Sequence, residues 1–178
     1  MYYDISNQVI PAYGRDVILN DMETLLGERS EGRWAGGEFL LGPPGFFAEL
    51  TGIIDDLYPR YVDNVRSLHH VGDEAFTSAA LERMRKGGRY MTDAGTLGII
   101  ARYWNANVAH WQRPIEACRE CFLLHLPADK KFIASLASKS AGWREVYSNY
   151  DTFCNSPISR AKRTIKRLAK TLVSKQRQ

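Results

Sequence analysis

The stretch from Trp34 to Leu81 constrains the fold more than any other part of the chain. It opens with Trp34-Ala35-Gly36-Gly37-Glu38-Phe39-Leu40-Leu41-Gly42, an apolar strand interrupted by adjacent glycines. Glycines at that place leave the backbone bare, so another group is expected to come close to it. Pro43-Pro44-Gly45 then turns the chain into Phe46-Phe47-Ala48-Glu49-Leu50, and apolar residues recur at helical spacing through Ile53, Ile54, Leu57, Tyr58 and Tyr61. That period predicts a long helix packed on the strand. A second helix is predicted to begin at Asp73-Glu74, because free first-turn N–H groups and the helix dipole favour carboxylates there.

The order of glycine-rich strand, helix and Asp-Glu helix start resembles the second half of glycosyltransferases with the GT-A (nucleotide-diphospho-sugar transferase) fold. In several retaining families of that fold a strand of small residues lines the sugar site, and an acidic pair at a later helix start faces the reacting carbon. The resemblance implies that Gly36, Gly37 and Glu38 bind substrate and that Asp73 and Glu74 are catalytic. Leu123-Leu124-His125-Leu126-Pro127-Ala128-Asp129-Lys130-Lys131-Phe132 looks like the His-plus-Lys motif near the C-terminus of galactosyltransferase-like enzymes, without its glycine and its Pro-Trp ending. It implies His125 as ligand of a divalent metal, Mn2+ or Mg2+, and Lys131 as partner of the donor diphosphate.

The implied fold is α/β, a partial GT-A-like mixed sheet flanked by helices and followed by a basic amphipathic helix. The chain contains no Asp-x-Asp metal motif. It is therefore expected to be the acceptor-side part of such an enzyme, beginning after that motif and binding a nucleotide-sugar poorly when isolated.

Each of these residues also has a plain reading. Asp73 can cap a helix without any substrate, Glu38 can be a solvated or salt-bridged strand carboxylate, and His125 can be a satisfied residue beside an apolar strand. His69-His70 precedes the acidic pair and faces either the same pocket or solvent. Arg102-Tyr103-Trp104-Asn105 suits a sugar or base ring stacked on Trp104 with Arg102 on its oxygens, or ordinary packing with a surface arginine.

The formal charge of +4 conceals an asymmetry. No Asp or Glu follows Asp151, while eight Lys and Arg do; subtracting eight from +4 leaves the body at −4. Two regions are expected, 1–151 and a basic tail, 152–178. In the tail Ala161, Ile165, Leu168, Ala169 and Leu172 form one apolar stripe flanked by Lys and Arg. Residues 158–175 are thus expected to lie on an anionic membrane surface. The alternatives are nucleic-acid contact and a solubilising tail.

With 44% hydrophobic and 25% charged residues, the chain is composed like a globular domain with one core. It has no run of eighteen apolar residues and no signal-like start, so the protein is expected in the cytoplasm, peripheral at the inner membrane face. Cys118-Arg119-Glu120-Cys121 lacks the second pair that a zinc site needs, and the cysteines read as small core residues.

Short strands are expected around Tyr2–Ile10, at Val17-Ile18-Leu19, at Tyr90–Asp93 and over Leu97–Trp104, with a buried strand at Phe122–Leu126. Helices are expected at Asn20–Leu26, Ala128–Lys139 and Trp143–Tyr150, with a helical turn within Pro114–Cys121. The function expected is sugar transfer from a nucleotide-sugar donor to a glycan or lipid-linked acceptor. The rival is a non-enzymatic α/β module whose basic helix binds nucleic acid or a protein partner.

Overall fold

The computed structural model describes residues 1–104, 115–139, 142–162, 164–165 and 168. It is a mixed α/β protein in which helices predominate over two small two-stranded sheets. The chain forms two compact units, one of residues 1–101 and 120–123, the other of 102–119 and 124–178.

In the first unit β1 (Tyr2–Asp4) runs antiparallel to β2 (Ala35–Leu40), with an irregularity between Tyr2 and Asp4. On the other side of β1, Tyr2 makes a single parallel bridge to Asp93. The strand expected at Tyr90–Asp93 is reduced to that bridge, held by Tyr2 N–H to the Thr92 carbonyl at 3.1 Å and Ala94 N–H to the Tyr2 carbonyl at 2.8 Å.

Between β1 and β2 the chain makes two helices, α1 (Ser6–Tyr13) and α2 (Arg15–Leu26). Here the strands expected at Val9-Ile10 and Val17-Ile18-Leu19 are corrected. Ile5 and Val9 are buried four residues apart, and Ile18, Met22, Leu25 and Leu26 are buried at i, i+4, i+7 and i+8. The spacing in each helix has a helical period and outweighs the β preference of the two short β-branched runs. The end of α2 is as expected, with Gly27 in the left-handed region at φ 74°.

The long helix α3 (Pro44–Asn64) starts with proline in its first turn, where no N–H is required. It buries Phe46, Leu50 and Leu57 and partly buries Ile53, Ile54 and Tyr61. Burial of a leucine of this kind contributes about 1.5–3 kcal/mol.

Helix α4 (Asp73–Lys86) is the centre of the unit and packs on β2, α2 and α3. Ala75, Ala79, Ala80 and Ser78 are buried along it, and these small side chains let its neighbours come close. Its one buried acid, Glu82, accepts bonds from Ser30 Oγ and Glu31 N–H, both at 2.8 Å, and lies near Arg85 and Lys86. A buried carboxylate needs such partners.

The extended segment expected over Leu97–Trp104 shortens to β3 (Ile100–Arg102), because Gly98, at φ 68°, closes a turn onto Gly95. β3 pairs with β4 (Leu123–His125). The expected buried strand at Phe122–Leu126 is not buried, since Phe122 is 87% and Leu123 43% exposed.

The second unit contains a 3-10 turn (Ile115–Cys118), α5 (Lys130–Ala137) and α6 (Trp143–Asn155), which packs on α5. Phe132 stacks on Phe153 with centroids 4.0 Å apart, and the buried Tyr150 meets Tyr103, Phe132 and Phe153. Burial pushes the Tyr150 phenol well above the usual tyrosine range, with Cys154 and Asp129 adding to the shift. Cys118, Cys121 and Cys154 are not joined in disulfides; Cys118 and Cys154 are buried, and burial also pushes the Cys121 thiol up.

Candidate functional site

The glycine strand and the acidic helix start meet in the first unit. Ala35 N–H donates to Ser78 Oγ at 2.9 Å, and that hydroxyl donates to the Glu74 carbonyl at 2.5 Å, fastening β2 to the first turns of α4. Further along β2, the vector on which a Gly37 side chain would stand points at Asp73 and Glu74. A Cβ there would lie 3.1 Å from Asp73 Oδ2 and 3.4 Å from Glu74 Cγ. The expected close approach to the bare backbone is therefore made by the acidic pair itself.

Asp73 and Glu74 occupy the first turn of α4, but the capping position is Gly72 and no side-chain cap bond forms. Asp73 is an exposed first-turn residue, where its charge also complements the helix dipole. Glu74 is half-buried, and the indole N–H of Trp34 points to its Oε2 at 3.5 Å. Trp34 is itself 1% exposed. Its backbone N–H donates to Ser6 Oγ at 2.7 Å, and its carbonyl accepts from Ile5 N–H at 2.8 Å.

Glu38 belongs to a different face. A Cβ on Gly36 would run into the Glu38 carboxylate, so Glu38 folds over Gly36 while Gly37 faces α4. Alternation along a strand requires this division. Of the expected substrate residues on β2, Gly37 is thus next to the acidic pair, and Gly36 with Glu38 forms the reverse side.

Asp21, a residue not singled out from sequence, lies beside this site and holds His70, which was. Asp21, fully buried on α2, accepts the N–H of His69 at 2.9 Å, the N–H of His70 at 2.9 Å and His70 Nδ1 at 2.8 Å. The carboxylate thereby assigns the proton to Nδ1 and fixes the ring plane. The His70 ring meets Trp34 at 4.9 Å and Tyr13 at 4.4 Å between centroids. His70 is half-buried rather than part of a solvated loop. Only the spacing of Asp21 among buried α2 positions signalled that a carboxylate would point inward.

The other expected site residues are in the second unit. The Arg102 guanidinium lies over the Trp104 ring, 5.4 Å from its centroid, so a cation–π contact within the chain stands where a substrate ring was expected on Trp104. Tyr103 N–H donates to the His125 carbonyl at 2.9 Å, placing His125 across the ladder from that segment. Lys131 is exposed on the first turn of α5. Asp129, just before that helix, adopts the left-handed conformation at φ 59°, which Asp tolerates better than most residues.

Mn2+ and Mg2+ need several oxygen ligands. Among the described residues no three His, Cys, Asp or Glu side chains converge, and His125 supplies a single imidazole. The described residues therefore do not make up a complete site for either ion. Asn105, beside Trp104, lies outside the described residues.

In the tail, residues 157–162, 164, 165 and 168 are helical. Ile158, Ile165 and Leu168 are 70%, 65% and 56% exposed. Ala169 and Leu172, which complete the expected stripe, lie outside the described residues. No helix among the described residues is long and apolar enough to cross a membrane.

No family model, no curated protein and no solved structure matches this chain.

Proposed function

We propose that the protein is a glycosyltransferase that moves a sugar from a nucleotide-sugar donor to a glycan or lipid-linked acceptor. The observation that carries the reading is the placement of Asp73 and Glu74 against the bare backbone of Gly37, with the Trp34 indole on Glu74. Two carboxylates held together at a helix start, with Asp73 exposed, supply the charge that sugar transfer needs.

In this reading the acceptor oxygen bonds to the anomeric carbon as the bond to the nucleoside diphosphate breaks. Glu74 or Asp73 takes the hydroxyl proton or steadies the oxocarbenium-like carbon. Gly36, Gly37 and Glu38 border the sugar; Arg102 and Trp104 are assigned to substrate from their residue types alone, through charge and ring face. Lys131 pairs with the diphosphate as a point charge. Mn2+ or Mg2+, with His125 as a ligand, belongs to the reading by resemblance, and no step above is routed through it. The finer fold assignment, the acceptor-side part of a GT-A-like sheet, belongs to the same proposal.

The exposed Ile158, Ile165 and Leu168, with exposed Arg160 and Lys162 among them, support attachment of residues 158–175 to an anionic membrane surface. That surface places the protein at the inner face of the membrane, where a lipid-linked acceptor is presented. Donor hydrolysis and transfer across UDP- and GDP-sugars, with and without Mn2+, test the reading. A folded protein in its full natural reading frame that neither binds nor turns over any of them contradicts it. A basic helix that binds nucleic acid with steep salt dependence favours the non-enzymatic rival instead.

A further inference from the structure

We propose that Asp21 and His70 are positioning residues for the Glu74 carboxylate, acting through Trp34; this rests on the reading of Glu74 as the reacting carboxylate. Four elements meet in a continuous path. Asp21 on α2 holds His70 Nδ1 at 2.8 Å, and the His70 ring packs 4.9 Å from the Trp34 indole at 60°. The Trp34 indole N–H reaches Glu74 Oε2 on α4.

Each link is constrained from more than one side. Asp21 is completely buried and has three donors, two of them the backbone N–H groups of the loop that leads into α4. That loop is also held by the Tyr61 hydroxyl on the Val71 carbonyl at 2.5 Å. Trp34 is pinned through its own backbone to Ser6 and Ile5.

The His70 ring stands against the Trp34 indole on one side. His70 Nε2 is buried with no hydrogen-bond partner among the described residues, so Asp21 alone sets the ring's polar orientation. The ionisable groups around the ring are Asp21 on α2, Tyr13 on α1 and His69 in the loop; Asp73 and Glu74 follow at the start of α4. A packed ring with one committed nitrogen is suited to fixing a neighbour's angle, and less suited to receiving a substrate hydroxyl.

The Trp34 indole N–H provides a signature that packing alone does not. In a ¹⁵N-labelled chain its NMR signal, assigned by loss in Trp34→Phe, reports protonation of Glu74 and loses that step in Glu74→Gln. His70→Asn keeps an N–H donor for Asp21 but removes the ring from Trp34. The proposal expects the Glu74 step at Trp34 to vanish in His70→Asn and to persist in His69→Asn, which retains its backbone bond to Asp21. Transfer catalysed by His70→Asn should fall about tenfold to a hundredfold in kcat with KM little changed, as expected for a misplaced reacting group.

Persistence of the step in a folded His70→Asn, or its absence from the wild type, overturns the proposal. Should His70→Asn fail to fold, the wild type decides. Its Trp34 indole N–H must show a nuclear Overhauser contact to the His70 ring, and absence of that contact refutes the coupling. These signals need no sugar donor, so a wild type without transferase activity would remove the functional reading while leaving the positioning claim separately decided.

Discussion

Replacing Asp21 by alanine gives the sharpest stability prediction. The carboxylate is fully buried and accepts three hydrogen bonds of 2.8–2.9 Å, from His69 N–H, His70 N–H and His70 Nδ1. A buried donor left without an acceptor costs about 1–3 kcal/mol. His69 is exposed and the bonds are only partly shielded, so water can re-solvate some of the donors and the low end applies. Removing a buried charge also returns part of its desolvation cost. The net loss expected is about 3 kcal/mol, a large share of a stability of about 5–15 kcal/mol.

For a chain of this size each kcal/mol corresponds to about 2–4 °C, so the melting temperature should fall by roughly 6–12 °C. Asp21→Asn retains one acceptor oxygen but turns an amide toward a donor, and should lose about half as much. Urea titrations followed on first-unit amide signals would separate these losses from unfolding of the second unit. If Asp21→Ala is destabilised by less than about 0.5 kcal/mol, the three bonds do not hold the loop and the reasoning fails.

Gly37→Ala should change stability by less than about 1 kcal/mol, because loss of glycine's unfolded freedom offsets a tight contact with the movable Asp73 side chain. Gly37→Leu should abolish transfer by occupying the space beside Glu74, and a fully active Leu variant would exclude this face of β2 as the site. Tyr150 has its phenol raised in the folded state, first by burial, so it favours folding at pH values below the unfolded value of about 10 and withdraws that stability above it. Urea melts at rising pH should lose up to about 1.4 kcal/mol per pH unit beyond that point from this group, and Tyr150→Phe should lack its share of the slope. Ile165→Asp, at a position 65% exposed, should weaken sedimentation with anionic vesicles roughly tenfold without changing the melting temperature. Equal binding by the variant would show that the apolar stripe does not enter the lipid interface.

The parts of the fold legible from sequence were those written in local pattern. The α3 period, its proline start and the Asp73-Glu74 helix start all correspond to observed elements, as does the glycine end of α2. Adjacent glycines signalled that some group would come close to β2, but not that the group would be the acidic pair. Strand alternation by itself also puts Glu38 on the opposite face from Gly37, together with Gly36.

Other features depended on tertiary context. Val17-Ile18-Leu19 resembled a strand in isolation, and only the extension of its stripe to Leu26 reveals the helix. The partner of Asp21 lies 49 residues away, so no local pattern links it to His70. The division near Ala101 is likewise invisible in composition, whose strongest change falls at Asp151.

The most direct test of the central claim is transfer activity across UDP- and GDP-sugars, measured in the full natural reading frame for the wild type and for Glu74→Gln in parallel. The account predicts turnover by the wild type and at least a hundredfold loss of kcat in Glu74→Gln, with the fold retained. Undiminished turnover in Glu74→Gln would remove Glu74 from the chemistry. No turnover by a folded wild type with any donor would contradict the claim that the protein is a transferase.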